Sequence, residues 1–332
     1  MRLRYFARRA GEFAVSGVGL RFNAPANIRE YYGQLSAETI HDRELSYTNP
    51  EEPQLFPLET ALDVFDEPAH HKVRWNLRPQ VPGGVRRPDV PRLTDSVMGR
   101  TLGICVACRQ GDTFYPFLHL TSPDRRHTLG YHGSAFGQFW GEELRLFRDG
   151  QEIDPANPYI GQFAAYNLPD EPADYRLTLD HRGVHTAWEF TSGPVTDDDT
   201  PPGFACLQTE FQRSTVPCRA EPLILLSYDA GVDLTNAVAA PGRHQIEVSA
   251  YRQAPDAPPL ERLKVWFSTD GGDRWTPIPG LRKTGDGQYI GSIVVPPLDR
   301  TVGTVSLRAE AWDVAGNRVE QTIADAYQLR KR

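Results

Sequence analysis

Leu263-Lys264-Val265-Trp266-Phe267-Ser268-Thr269-Asp270-Gly271-Gly272-Asp273-Arg274-Trp275-Thr276-Pro277-Ile278 is the stretch on which the fold turns. Leu263, Val265 and Phe267 fall at every second position, the repeat of a strand that buries one face. Asp270-Gly271-Gly272-Asp273 then breaks the pattern with turn formers, and Trp275 and Ile278 resume an apolar stretch, so the segment reads as a hairpin. The same alternation spreads outward in both directions. Upstream it takes in Ile246, Val248 and Ala250. Downstream it takes in Tyr289, Ile293 and Val295, then Val305, Leu307, Ala309 and Ala311, and finally Val319 and Ile323 after the turn Asp313-Val314-Ala315-Gly316-Asn317. About six or seven short strands in about a hundred residues predict an immunoglobulin-like or fibronectin type III-like sandwich over 222–332, with Phe267, Trp275, Ile293, Leu307 and Ile323 in its core.

The middle of the chain carries the same signature. Leu144 and Leu146 run into Asp149-Gly150, a dipeptide suited to the positive φ angles of a two-residue hairpin, with Ile153 on the returning side. Tyr175, Leu177 and Leu179 alternate, and Thr186, Trp188 and Phe190 alternate after the Arg182-Gly183 turn. Residues 66–221 therefore read as a second β domain with longer loops, and the proline-rich stretches Arg78–Pro91 and Asp197–Pro202 as loops within it. Residues 1–65 form an N-terminal segment, β-rich or irregular, whose apolar clusters lack a clear period and can complete a sheet with material outside this chain. Within it, Leu58–Phe65 alone fits a short helical turn. The expected class is all-β, with tandem β-sandwich domains; the length of 332 residues suits about two domains.

Composition narrows the function classes. Lys plus Arg is 36 against 43 for Asp plus Glu, a net charge of −7, which argues against a phosphate-backbone partner and hence against nucleic acid. Gly and Pro, 28 of each, favour turns and short strands over long helices. No run approaches the ~18 apolar residues of a membrane span. After the charged start Met1–Arg9, Glu12 and a succession of glycines leave no apolar core of a signal peptide. The expectation is a soluble chain that either stays in the cytoplasm or begins, in its natural form, before Met1.

Candidate chemistry is sparse. Four cysteines occur as Cys105-Val106-Ala107-Cys108 and Cys206…Cys218, and an even count allows three connectivities in an oxidising compartment, two local bridges being the simplest. The alternatives are a redox centre, which needs the pair at a helix N-terminus, and half a zinc site, which needs a second CxxC nearby. The flanking Leu102-Gly103-Ile104 and Arg109-Gln110-Gly111-Asp112 read as strand and turn. Ser134 follows His132-Gly133 but lacks a G-x-S-x-G elbow, and His70-His71 on a strand point to opposite faces. Asp197-Asp198-Asp199 offers oxygen ligands of the kind calcium takes, although three acids in a proline-bounded loop also serve as a solvated face. No H-E-x-x-H, P-loop or complete G-x-G-x-x-G occurs, so no cofactor and no resident metal follow from motifs. Ser268…Trp275 matches the S-x-D-x-G-x-x-W spacing of the Asp-box of sialidases, a hairpin lock in which the acid ties the turn; found once, it supports a hairpin and not sugar hydrolysis.

Several segments, in order, resemble the long C-terminal extension of large secreted subtilisin-like serine peptidases of actinobacteria. They are Arg9–Gly17, His71–Asn76, the CxxC with Arg109–Asp112, Leu146–Gly150, Arg176–Thr178 with Thr186–Phe190, Leu226–Leu234, and Val305–Ala309 with Asp313–Asn317. The family's catalytic Asp, His and Ser lie upstream in D-[ST]-G, H-G-T and G-T-S-M-A type sequences, none of which occurs here, so no catalytic residue carries over. The resemblance implies an extracellular, oxidising setting and hence disulfides at Cys105–Cys108 and Cys206–Cys218. It also implies a non-catalytic accessory β module whose partners are the peptidase's catalytic domain and a protein substrate or cell-surface glycan. The other reading is a carbohydrate-binding module, with Trp140, Trp188, Trp275 and Trp312 as candidate stacking residues, of which Trp188 and Trp275 are expected in cores.

Overall fold

Period-two burial runs through the C-terminal strands as the alternation requires: Leu263, Val265 and Phe267 are buried while Arg262 and Lys264 face solvent. The computed structural model describes residues 2–9, 17–21, 23, 25–31, 39–47, 56–64, 67–68, 70, 73–75, 77–84, 105–121, 127–128, 143–156, 164–197, 199–200, 204, 206–209, 212–213, 216–254 and 256–332. Among them there is no α-helix, only a 3-10 turn at Leu298–Arg300. The class is all-β, built from several mainly antiparallel sheets.

The chain opens with β1 (Arg2–Arg9), β2 (Gly17–Arg21), β3 (Thr39–Tyr47) and β4 (Phe56–Val64), followed by β5 (Val81–Gly83), β6 (Ala107–Gln110), β7 (Thr113–Pro116), β8 (His119–Thr121) and β9 (His127–Thr128). The first four join β9 in a five-stranded sheet of order β2-β1-β3-β4-β9. Of Leu58–Phe65, expected as a helical turn, residues 58–64 are instead most of β4, and Phe65 lies outside the described residues. Leu58 and Leu62 are spaced by four, which a helix and a strand share, and the ladder to β3 from Ile40↔Val64 to Tyr47↔Phe56 decides for the strand. The proline-rich Arg78–Pro91 stretch likewise contains a strand, β5, in which Pro82 is paired with Leu120 of β8 in a two-stranded ladder.

Then come β10 (Glu143–Arg148), β11 (Gln151–Ile153), β12 (Tyr166–Asn167), β13 (Ala173–His181), β14 (Val184–Ser192), β15 (Leu207–Thr209), β16 (Gln212–Arg213) and β17 (Cys218–Ala220). The C-terminal strands are β18 (Leu225–Asp229), β19 (Ala237–Ala240), β20 (Gly242–Tyr251), β21 (Leu260–Ser268), β22 (Thr276–Pro277), β23 (Arg282–Gly285), β24 (Gln288–Val295), β25 (Thr304–Asp313) and β26 (Arg318–Lys331). Both anticipated two-residue turns form: Asp149 and Gly150 have φ of 50 and 80°, and Arg182 and Gly183 have 46 and 81°.

A nine-stranded sheet, β11-β10-β13-β14-β26-β25-β21-β22 with β19 added beside β26, faces a four-stranded sheet, β18-β20-β24-β23. Trp188, Leu177, Leu307 and Ile323 from the first and Ile246, Val248, Ile293 and Val295 from the second belong to one buried cluster, the packing of a sandwich. The large sheet crosses residue 221, because β14 pairs with β26 from Val184↔Ile323 to Glu189↔Arg318. The segments read as middle and C-terminal domains thus share a sheet and a core. Latches add to this: the Tyr251 hydroxyl donates to Gly84 O at 2.8 Å, and Val106 N–H donates to Gln253 Oε1 at 2.7 Å.

Four of the five expected core residues are buried, Leu307 and Ile293 completely. Trp275 is the correction. It is half-buried, because the two-residue β22 that follows it lies at the sheet's open edge, so the ring rests against Gly272 of its own turn. The hairpin lock itself forms: Asp270 Oδ1 accepts from the Ser268 hydroxyl at 2.7 Å and from Arg274 N–H at 3.0 Å. Asp313 locks the next turn in the same way, accepting from the Ala315 and Asn317 N–H groups at 3.0 Å while Arg252 pairs with it at 2.9 Å.

Candidate functional site

Strand alternation that buries one face of the large sheet must deliver a polar opposite face, and the register shows how that face is built. One row across it reads Phe147, Arg176, Glu189, Arg318, Trp312, Arg262. The next reads Arg145, Thr178, Ala187, Glu320, Glu310, Lys264, and the third Glu143, Asp180, His185, Thr322, Arg308, Trp266. Six strands thus lay cations, acids and two tryptophans out as a continuous surface. Polar pairs knit it: ion pairs of Arg176 with Glu189 at 2.6 Å, Arg308 with Glu310 at 3.1 Å and Arg318 with Glu320, and a hydrogen bond between His185 Nδ1 and Asp180 Oδ1 at 2.6 Å. Each is solvent-exposed enough to contribute little to stability.

The tryptophans sit under cations. Lys264 Nζ lies 5.2 Å and Arg318 Cζ 5.8 Å from the Trp312 ring centroid, and Arg308 Cζ lies 5.7 Å from that of Trp266. Each contact is worth about 0.5–1 kcal/mol at an exposed site. Toward β10 the face opens into a cleft of about 780 Å³ bordered by Arg145, Arg176, Asp180, His185 and Glu189. The face therefore grades from a basic end at Arg262, Lys264 and Arg308 to a mixed, more acidic end around Glu143 and Asp180.

A second polar constellation lies inside, beside the β6–β17 ladder. Arg219 pairs directly with Arg109, and Ala220 with Cys108, so the two arginines share one face of the ladder and Cys108 and Cys218 share the other. Arg109 is completely buried; its guanidinium donates to Pro169 O at 2.6 Å, Gly111 O at 3.0 Å and Ser192 Oγ at 3.2 Å. Ser192 in turn donates to Glu221 Oε1 at 2.5 Å, while Glu221 Oε2 has no hydrogen-bond partner among the described residues. Burial pushes the Glu221 carboxyl up to about 7, against the pull of the Ser192 hydrogen bond and of Arg219 and Arg109. This serine is not an activated nucleophile, since it donates to a buried acid and no imidazole touches it in these contacts.

On the ladder's other face the cysteines form Cys105–Cys108 and Cys206–Cys218 disulfides. All four are buried and pack in a small cluster with Phe204 and Ala220. Cys108, Cys206 and Cys218 Sγ lie within 4.8 Å of one another, which makes this the sole grouping of possible metal ligands among the described residues.

Of the other residues singled out from the sequence, His132, Ser134, Trp140, His71 and Asp198 lie outside the described residues. His70 is exposed, Trp188 is a core residue donating to Ile224 O at 2.9 Å, and Asp199 spends its N–H on Cys218 O at 2.8 Å. Trp312 is on the outer face of the large sheet. Trp266 was missed, although its place between Val265 and Phe267 already assigns it to the face opposite theirs. Compared with known proteins, the chain matches no family, and no curated protein matches it. Among the described residues no helix is long and apolar enough to cross a membrane.

Proposed function

We propose that this chain is a non-catalytic accessory β module of an extracellular subtilisin-like serine peptidase, and that it works by docking protein on the outer face of its large sheet. The observation that carries this reading is the pair Trp266 and Trp312 set among Lys264, Arg308 and Arg318 on that face. Tryptophan and arginine are the residues that dominate protein-protein binding energy. A sugar, by contrast, stacks on a free aromatic face, and here the rings already carry cations that would first have to be displaced. The same contacts thus favour the accessory reading over a carbohydrate-binding module. The two disulfides suit an oxidising compartment, and the missing D-[ST]-G, H-G-T and G-T-S-M-A sequences suit a module without chemistry of its own.

A fluorophosphonate probe tests the non-catalytic half of the proposal on the purified chain. No labelling is expected, because an activated serine needs a base and an oxyanion hole. Stoichiometric labelling abolished by Ser134→Ala would overturn the reading. Specific, salt-resistant binding on a glycan array would replace it with the carbohydrate module.

A further inference from the structure

We propose that, once its two disulfides are reduced, the chain gathers Cys105, Cys108, Cys206 and Cys218 around one zinc ion as a closed four-thiolate site. Three of the sulfurs, those of Cys108, Cys206 and Cys218, already lie within 4.8 Å of one another, and the fourth, on Cys105, is bonded to that of Cys108. A tetrahedral zinc with Zn–S of about 2.3 Å sets its sulfurs ~3.8 Å apart, so on reduction the sulfurs of each bonded pair must open while Cys108 and the second pair draw together by at most on the order of 1 Å. Part of the scaffold around the cluster is hydrogen-bonded apart from the disulfides. Cys108 and Cys218 sit on paired strands, and Cys105 is followed by Val106, whose N–H is held by Gln253 Oε1 at 2.7 Å. Exposure of the four is 1, 1, 7 and 1%, which keeps water from competing as a ligand. The Thr200 hydroxyl, 3.6 Å from Cys206 Sγ, can donate to a thiolate there. Zinc with four thiolates carries net negative charge, and Arg109 and Arg219, each next in sequence to a cysteine ligand, lie directly behind it on the ladder's other face. The spacing Cys105-x-x-Cys108 is also that of the paired ligands of structural zinc sites.

The chemistry balances with a dithiol as reductant. Two dithiols give four electrons and four protons to the two disulfides, becoming two cyclic disulfides and leaving four cysteine thiols. Zinc then displaces the four thiol protons. The oxidised and zinc-bound forms are alternative staples for one locus, exchanged by the redox state of the surroundings. This inference is independent of the docking role.

The test is to reduce the full chain with dithiothreitol, add zinc or cobalt, remove excess by gel filtration and measure bound metal and reactive thiols. One zinc per reduced chain, none per oxidised chain, protection of all four thiols and the near-ultraviolet charge-transfer band of a cobalt thiolate are expected. Cys206→Ser should lose the retained metal. If the reduced chain unfolds, zinc should restore its β-type circular dichroism. Failure to bind metal, failure of zinc to restore the fold, or zinc retained by Cys206→Ser as firmly as by the native chain would each overturn the four-thiolate site.

Discussion

Glu221 is where a single residue sets a measurable property of the whole chain. Its carboxyl, at about 7 in the fold against an ordinary 4.5, binds its proton more tightly folded than unfolded. The stability this gives is complete below about 4.5 and is lost as pH rises through about 7, an effect of about 3 kcal/mol. His244 works in the opposite sense: burial pulls it down to about 4 from 6.5, so its contribution is complete above 6.5 and lost as pH falls through about 4. His244 is only half-buried, so solvent screening makes its share the smaller. Urea unfolding followed across pH should therefore show native stability declining between about 4.5 and about 7, and Glu221→Gln, which keeps an oxygen to accept from Ser192, should flatten that decline. An unchanged slope in the variant would show that Glu221 is not the group responsible. None of this was visible in the sequence. A glutamate three residues after a cysteine looks like any surface acid until the fold brings Arg109 of β6 and Ser192 of β14 beside it.

At the scale of elements, legibility followed periodicity. Strands whose apolar residues fall at every second position over most of their length, such as β13, β20, β21 and β25, and the Asp149-Gly150 and Arg182-Gly183 turns could be read directly, because burial of one face and positive φ each demand particular residues. β4 could not, since its leucine spacing serves helix and strand alike, and Trp275 was misplaced because an edge position cannot be inferred from a local motif. β26 shows what pairing adds: over 318–323 it runs between β14 and β25, and beyond Asp325, at φ of 50°, it takes β19 as a parallel neighbour. No residue pattern announces a strand that changes partner. The Cys206–Cys218 link makes a clean element-level prediction. It closes a loop with a sequence separation of 12, and replacing both cysteines by serine under oxidising conditions should cost about 3 kcal/mol in denaturant unfolding. A loss close to zero would mean that the β6–β17 ladder alone holds that segment.

Across the whole molecule, the sheet that crosses residue 221 couples the two halves of the sandwich. Trp188→Ala, which removes a side chain 1% exposed at the centre of the shared core, should cost about 3–5 kcal/mol and lower the unfolding of residues 143–192 and 225–331 together, in one transition by calorimetry and by tryptophan fluorescence. Trp275→Ala, at the half-buried edge, should cost less. Two resolved transitions, only one of them shifted, would separate the halves. That shared sheet is what presents the outer face as one continuous surface, and the face is the centre of the functional account. Its decisive measurement is a calorimetric titration of the chain with the serine-inhibited catalytic domain of a secreted actinobacterial subtilisin-like peptidase, at low and at raised salt, using the native chain and Trp312→Ala. The account predicts saturable one-to-one binding that weakens with salt and falls roughly tenfold or more in the variant, as loss of a hot-spot tryptophan does. Absence of binding, or binding that Trp312→Ala leaves untouched, would contradict it.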